Sequence, residues 1–180
     1  KSNHFKMKKH NGMRPQDIVI ILKIIALGNK DWYNADLARS LKISPSEITE
    51  ALNRCRIAGL IDSKKRNVHQ NALFEFLVYG LKYVFPVEPG ALVKGVPTAH
   101  SASPIKEQIS SKEFFVWPYA KGTLRGQAVE PLYRTLPEVL SDDKQLYELL
   151  AITDTLRIGR AREKTIAIEE LKKRIPNVQS

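Results

Sequence analysis

Apolar residues between positions 15 and 61 recur with a helical period, in three runs separated by short polar breaks. After Arg14-Pro15 the chain reads QDIVIILKIIALGN, and Ile18, Ile21, Leu22, Ile25 and Leu27 mark one helical face. Val19, Ile20 and Ile24 are apolar as well, so this helix is expected to be buried on more than one side and to end at Gly28-Asn29. Asn34 is the expected N-cap of a second, two-turn helix over 35–41, with Leu37, Ala38 and Leu41 on one side. Ser44-Pro45-Ser46-Glu47 forms a capping box with proline at its first helical position. Its Ser44 hydroxyl should accept the Glu47 N–H, and the Glu47 carboxylate should accept the Ser44 N–H. In the helix that follows, Ile48, Leu52 and Cys55 repeat at i, i+4 and i+7, and Gly59 stands where a left-handed cap would end it. Ser46, Thr49, Glu50, Asn53 and Arg56 are left on the outward faces.

Beyond residue 61 the pattern weakens. Residues 71–81 (NALFEFLVYGL) fit a helix through Leu73, Phe74, Leu77 and Val78 but can be read either way, and 82–86 (KYVFP) has strand-like residues ended by proline. Residues 86–104 are rich in Pro, Gly, Ala and Ser, which favours irregular or extended chain. Phe114-Phe115-Val116-Trp117-Pro118 is a strand candidate, Lys121-Gly122 a turn, and 124–133 an irregular stretch. The aromatic residues Phe114, Phe115, Trp117, Tyr119 and Tyr133 gather here, as a small satellite core or as a platform for a partner. Periodicity returns over 141–175, with Ser141 as cap, Asp142 and Asp143 in the first turn, and Leu146, Leu149, Leu150, Thr153 and Leu156 at helical spacing. Gly159 should break or bend that run. Arg157, Arg160 and Arg162 around it read as solvated or paired with Asp154, Glu163 or Glu169, or as a second phosphate contact.

The fold class expected is therefore α+β, in three stretches. Residues 14–80 form an N-terminal helical domain, 81–140 a Pro/Gly-rich extended and β segment, and 141–175 a C-terminal helical segment. Hydrophobic residues at 43% and charged residues at 27% are those of an ordinary globular protein, and 180 residues can bury a core without staples. Formal net charge is +10. It is unevenly spread: residues 1–80 hold 14 Lys and Arg against 7 Asp and Glu, whereas 81–180 hold 15 against 12. The excess lies with the first three helices, as a phosphate-binding surface would require. Cys55 is the only cysteine, which excludes an internal disulfide and a cysteine zinc site; its helical position predicts a buried, inert thiol. The opening is polar, with no apolar signal region and no run long enough to span a bilayer, so a cytoplasmic location and no membrane partner are expected. Residues 1–6 are set aside, with Met7 or Met13 as the expected natural start.

The segment 34–61 resembles the DNA-binding domain of bacterial winged helix-turn-helix regulators of the MarR type. Their second helix often runs S-x-S-x-(V/I)-(S/T)-x-x-L and closes x-x-G-L-(I/V); this chain has SPSEITEAL and AGLI. The resemblance spans roughly residues 15–69. It implies a winged helix-turn-helix in which 62–69 is a β-hairpin wing, with Lys64, Lys65 and Arg66 at a tip that meets phosphate or the minor groove. The helix over 44–58 would enter the major groove from its Ser44 end, with Ser46, Thr49 and Asn53 toward the bases and Arg54 and Arg56 near phosphate. Glu50 departs from relatives that carry a donor there. It would accept from a cytosine amine or face away from DNA.

No catalytic signature accompanies these residues: there is no phosphate loop, H-E-x-x-H or G-x-S-x-G, and the histidines (His4, His10, His69, His100) are scattered. No enzyme activity, cofactor or metal is expected. The function expected is sequence-specific double-stranded DNA binding and transcription regulation as a homodimer, with the apolar runs 18–27 and 146–171 supplying the two-fold interface. Alternatives are a protein–protein adaptor or antitoxin-like partner, for which Glu47 and Glu50 speak, and an accessory subunit of a nucleic-acid-processing complex.

Overall fold

The computed structural model describes residues 12–178; His4, Met7 and His10 lie outside them. Helices α1 (Pro15–Leu27), α2 (Asn34–Leu41) and α3 (Pro45–Ile57) come first, and α1 packs across both of the others. Ile18, Val19, Ile20, Ile21 and Leu22 in α1 are each fully buried, as an all-round apolar run requires. Gly28 ends α1 at φ +61°, a left-handed value open to glycine. Asn34 is the first helical residue of α2 rather than its cap, which is Tyr33; the Tyr33 N–H is taken by Asp36.

The next elements are α4 (Gln70–Glu75), a π-helical turn (Phe76–Gly80) and α5 (Leu81–Val84). Residues 82–84 are thus helical and not a strand. Their β-prone side chains lose to the burial of Leu73, Leu77 and Leu81, whose four-residue spacing the wider π-turn keeps on one inward side. Strands β1 (Leu92–Pro97), β2 (Phe115–Pro118) and β3 (Leu124–Ala128) close into a small barrel. β1 runs antiparallel to both neighbours, with Val96 opposite Trp117 and Val93 opposite Gly126, and β2 meets β3 in parallel at Phe115–Gln127. The stretch 124–133, expected to be irregular, therefore supplies a strand. Closure is tight: a Cβ on Gly95 would lie 2.1 Å from the Trp117 carbonyl oxygen, and one on Gly126 would lie 2.6 Å from that of Phe114.

Short turns α6 (Leu136–Val139) and a 3₁₀ segment (Leu140–Asp142) lead to α7 (Lys144–Ile158) and α8 (Ala161–Arg174), broken at Gly159. Asp143 caps α7, accepting the Leu146 N–H at 3.1 Å, in place of the expected Ser141. The fold is α+β. One hydrophobic cluster takes in α1, α2, α3, Trp117, α7 and α8, so the three stretches read from the sequence share a single core. Leu149 and Leu156 lie inside it at 2% and 3% exposure, and the apolar face of α7, expected at a two-fold interface, is consumed within the chain. No described helix is long and apolar enough to cross a membrane.

Asp154 in α7 fastens the barrel to this core. Its buried carboxylate accepts Thr98 Oγ1 and Trp117 Nε1 at 2.7 Å each and Arg157 Nη1 at 2.8 Å. Arg157 also donates to the Phe85 and Glu130 carbonyls, so this arginine is structural. Of the clustered aromatics, Trp117 enters the main core, Phe115 joins Ala99 and Val129 in a small one, and Phe114 stays half exposed.

Glu170 pins α8. Burial alone would raise its carboxyl, but hydrogen bonds from Lys173, Arg174 and Gln108 hold it at about 2. A carboxyl depressed from 4.5 contributes stability that is complete above pH 4.5 and lost as pH falls toward 2, on the order of 3 kcal/mol. Urea unfolding should accordingly show Glu170→Gln well below the parent at pH 6 and the gap closing between pH 4.5 and 2.5. A gap that stays constant across that range contradicts this role.

Candidate nucleic-acid interface

The start of α3 is built as its sequence dictates. Ser44 Oγ accepts the Glu47 N–H at 3.2 Å and Pro45 occupies the first helical position. The second half of the capping box is not made. The Glu47 carboxylate turns away to accept Gln16 Nε2 at 2.7 Å and Arg54 Nη2 at 2.5 Å. Burial of Glu47 opposes its charge, yet Arg54 holds it below the usual carboxylate range.

Arg54 is the main correction to the sequence reading. It faces the core and not the outer surface: it is 8% exposed, with Nε and Nη2 donating to the two oxygens of Asp17 at 2.8 and 2.7 Å. Asp17 itself is fully buried and also accepts the Arg14 N–H at 2.9 Å, so one carboxylate caps α1 and clamps α3. The paired carboxylates raise the already high Arg54 pKa, chiefly through the Asp17 hydrogen bonds. Cys55, beside it, is fully buried, and burial pushes its thiol up to about 12, consistent with an inert core residue.

With Arg54 inward, Ser46, Thr49, Glu50 and Arg56 are exposed and Asn53 half buried, on the outward sides of α3. Their side chains are loosely preset. Thr49 Oγ1 donates to the Pro45 carbonyl at 3.1 Å and accepts Asn34 Nδ2 at 3.2 Å, which links α2 to α3. Ser46 Oγ lies 3.1 Å from Ser44 Oγ. Arg56 donates twice to Asn53 Oδ1, at 3.3 and 3.1 Å, leaving the Asn53 amide nitrogen outside that contact.

The segment after α3 is a tight turn with a single β-bridge, Ile61 to Val68, in place of an extended hairpin. Asp62 organises it, accepting Arg66 N–H at 2.7 Å and Asn67 Nδ2 at 2.8 Å, and those bonds hold its carboxyl below the usual range. Lys65 adopts φ +57° at the tip. Lys64 is exposed and Lys65 partly so, and neither is ion-paired among the described residues. Arg66 is committed instead. It stacks 4.1 Å over the buried Trp32 ring and donates to the Trp32 carbonyl at 2.7 Å, tying the turn to the entry of α2. His69 lies 2.8 Å from the Gly59 carbonyl, tying the same turn to the end of α3.

Sequence reading missed Asp17 as a determinant of this surface; Trp32, whose place just before the second helix suggests a hydrophobic anchor for its entry, is buried there at 5% exposure. A carboxylate directly before the apolar run 18–22 was the available signal for Asp17. No group of His, Cys, Asp and Glu able to hold a metal occurs among the described residues. Comparison with protein-family models, characterised proteins and solved structures gave no match to this chain.

Removing one partner of a buried ion pair leaves the other uncompensated, at about 3–5 kcal/mol. Asp17→Ala should lower the unfolding free energy by that amount, whereas Arg56→Ala on the exposed face should change it by less than about 0.5 kcal/mol. Chemical denaturation measures both; equal, small effects would mean that the pair does not fix α3.

Proposed function

We propose that residues 15–69 act as a winged helix-turn-helix with a much-shortened wing, and that the chain binds double-stranded DNA through α3 as a transcription regulator. One observation carries the reading. α3 buries Ile48, Ala51, Leu52, Arg54 and Cys55 and presents small polar, amide and guanidinium groups at Ser46, Thr49, Asn53 and Arg56 on the opposite side. A helix of that kind fits a major groove, where amides and hydroxyls read base edges. Lys64 and Lys65 supply sequence-independent phosphate contact from the turn. Ser44 is an N-cap at the groove-facing end, Arg54 supports from inside, and Arg66 holds the turn in place. Glu50, exposed on the same face, suits a cytosine amine. The reading includes two copies on a two-fold site, because one such helix covers few base pairs; with α7 inside the core, the two-fold contact falls on another surface.

A protein-docking reading draws on two exposed apolar side chains at the ends of the same helix pair, Tyr33 at 71% and Ile57 at 52% exposure. Duplex selection followed by gel shift over a salt series separates the two. Specific DNA binding predicts that Lys64→Ala with Lys65→Ala weakens every duplex alike and lowers the salt slope by about 0.9 per lost phosphate contact. Asn53→Ala should cost on the order of 1–3 kcal/mol on the selected site and relax one base position. No enrichment of any duplex, with Ile57→Ser abolishing a protein contact, would replace this reading with the docking one.

A further inference from the structure

A helical backbone runs unbroken from Gln70 to Val84 through α4, the π-turn and α5. Leu73, Leu77 and Leu81 face the core, and none is more than 1% exposed. Two positions after each leucine, on the opposite side of the helix, stand Glu75, Tyr79 and Tyr83, all exposed. A four-residue spacing drifts around an ordinary helix of 3.6 residues per turn. The wider π-turn at Phe76–Gly80 takes up that drift, so the outer row stays in line with the leucine row beneath it.

The row is apolar toward its middle. Tyr79, Tyr83 and the adjoining Val84 are 69%, 73% and 52% exposed, whereas the other exposed large apolar residues, Tyr33, Ile57, Leu92 and Phe114, stand singly along the chain. Tyrosine is favoured at protein interfaces, because a rigid ring covers area at little entropic cost while its hydroxyl tolerates water.

Its two ends carry opposite charge. Glu75 stands at one end. At the other, Lys82 Nζ lies 4.6 Å over the Tyr83 ring. Lys164 of α8 comes up against Lys82: partial burial first, and the adjacent Lys82 ammonium next, lower the Lys164 pKa. Glu75, Lys82 and Lys164 form no ion pair among the described residues. Two ammonium groups side by side repel each other unless an anion covers them. Glu75 of the same chain is seven residues from Lys82, about 10 Å along the helix.

From an exposed row that is apolar at its centre and oppositely charged at its ends, we propose that the 70–84 helix is the contact with a second copy of this chain, packed antiparallel about a two-fold axis near Tyr79. A two-fold contact pairs residue i with j and j with i, so a patch must complement itself. Turning this row about Tyr79 brings Glu75 of one protomer opposite Lys82, Tyr83 and Lys164 of its partner, twice over. Each pair of ammonium groups then gains a carboxylate, and Tyr79 packs on its counterpart. A nucleic-acid strand would suit the tyrosines and lysines but not Glu75 in line with them. The contact rests on the two-copy part of the DNA-binding reading and supplies the surface that α7 does not.

Sedimentation velocity of the full chain without DNA, between about 5 and 200 µM, should show a monomer passing to a dimer. Glu75→Lys should weaken the association by about tenfold or more, because it sets a third positive group against Lys82 and Lys164. Lys82→Glu with Lys164→Glu should weaken it likewise, and mixing the two variants should restore a dimer made of one chain of each. Should the double variant fail to fold by circular dichroism, Tyr79→Ser with Tyr83→Ser, at two well-exposed positions, should abolish the dimer in its place. A chain that stays monomeric at 200 µM overturns the contact, as does a dimer that Glu75→Lys leaves intact. A dimer that shifts no duplex would instead count against the DNA-binding reading alone.

Discussion

A buried carboxylate–guanidinium pair between α1 and α3 sets the rotation of α3, and most of what the outer surface can do follows from it. Asp17 has no exposure and accepts three hydrogen bonds, from the Arg14 backbone and twice from Arg54. Such a pair is poor at adding net stability, because taking both charges out of water costs nearly what their attraction returns. Its geometry is nonetheless demanding. A bidentate fork tolerates little rotation, so with Arg54 pointing inward, Asn53 and Arg56 must point outward. Glu47 adds a second carboxylate to the same guanidinium and ties the first turn of α3 to Gln16.

The second polar anchor, Asp154, joins the barrel to the helices by the same means: one buried carboxylate and three donors from separate parts of the chain. Tyr147 adds a bond from its hydroxyl to the Pro97 carbonyl at 2.6 Å, and burial pushes its phenol up to about 12. The barrel is therefore no appended module. It shares a core with the helices.

The first three helices were legible in the sequence because cap residues and apolar period agreed there: Pro15, Ser44, Gly28 and Gly59 all punctuate as their chemistry suggests. The Gly159 break between α7 and α8 was legible for the same reason. β3 was not, since Leu124-Arg125-Gly126-Gln127 lacks alternation and becomes a strand only because β1 needs a partner and glycine lets the backbone close in. Residues 82–84 show the opposite case, a local strand preference overridden by leucine burial. Arg54 and Arg56 differ by two positions in a helix and looked alike in sequence; the partner that separates them lies 37 residues away. The same distance effect hid Arg66, whose acceptor is the Trp32 carbonyl. Charged residues on a candidate interface are the hardest to sort, because whether one serves the core or the surface depends on a remote counter-charge.

Hydrogen–deuterium exchange of the full chain with and without short duplex DNA at low salt tests the central claim most directly. The account predicts new protection over residues 44–56 and 62–68, with the amides of β1, β2 and β3 unchanged. Protection confined to the barrel, or none anywhere in 44–56, would contradict it.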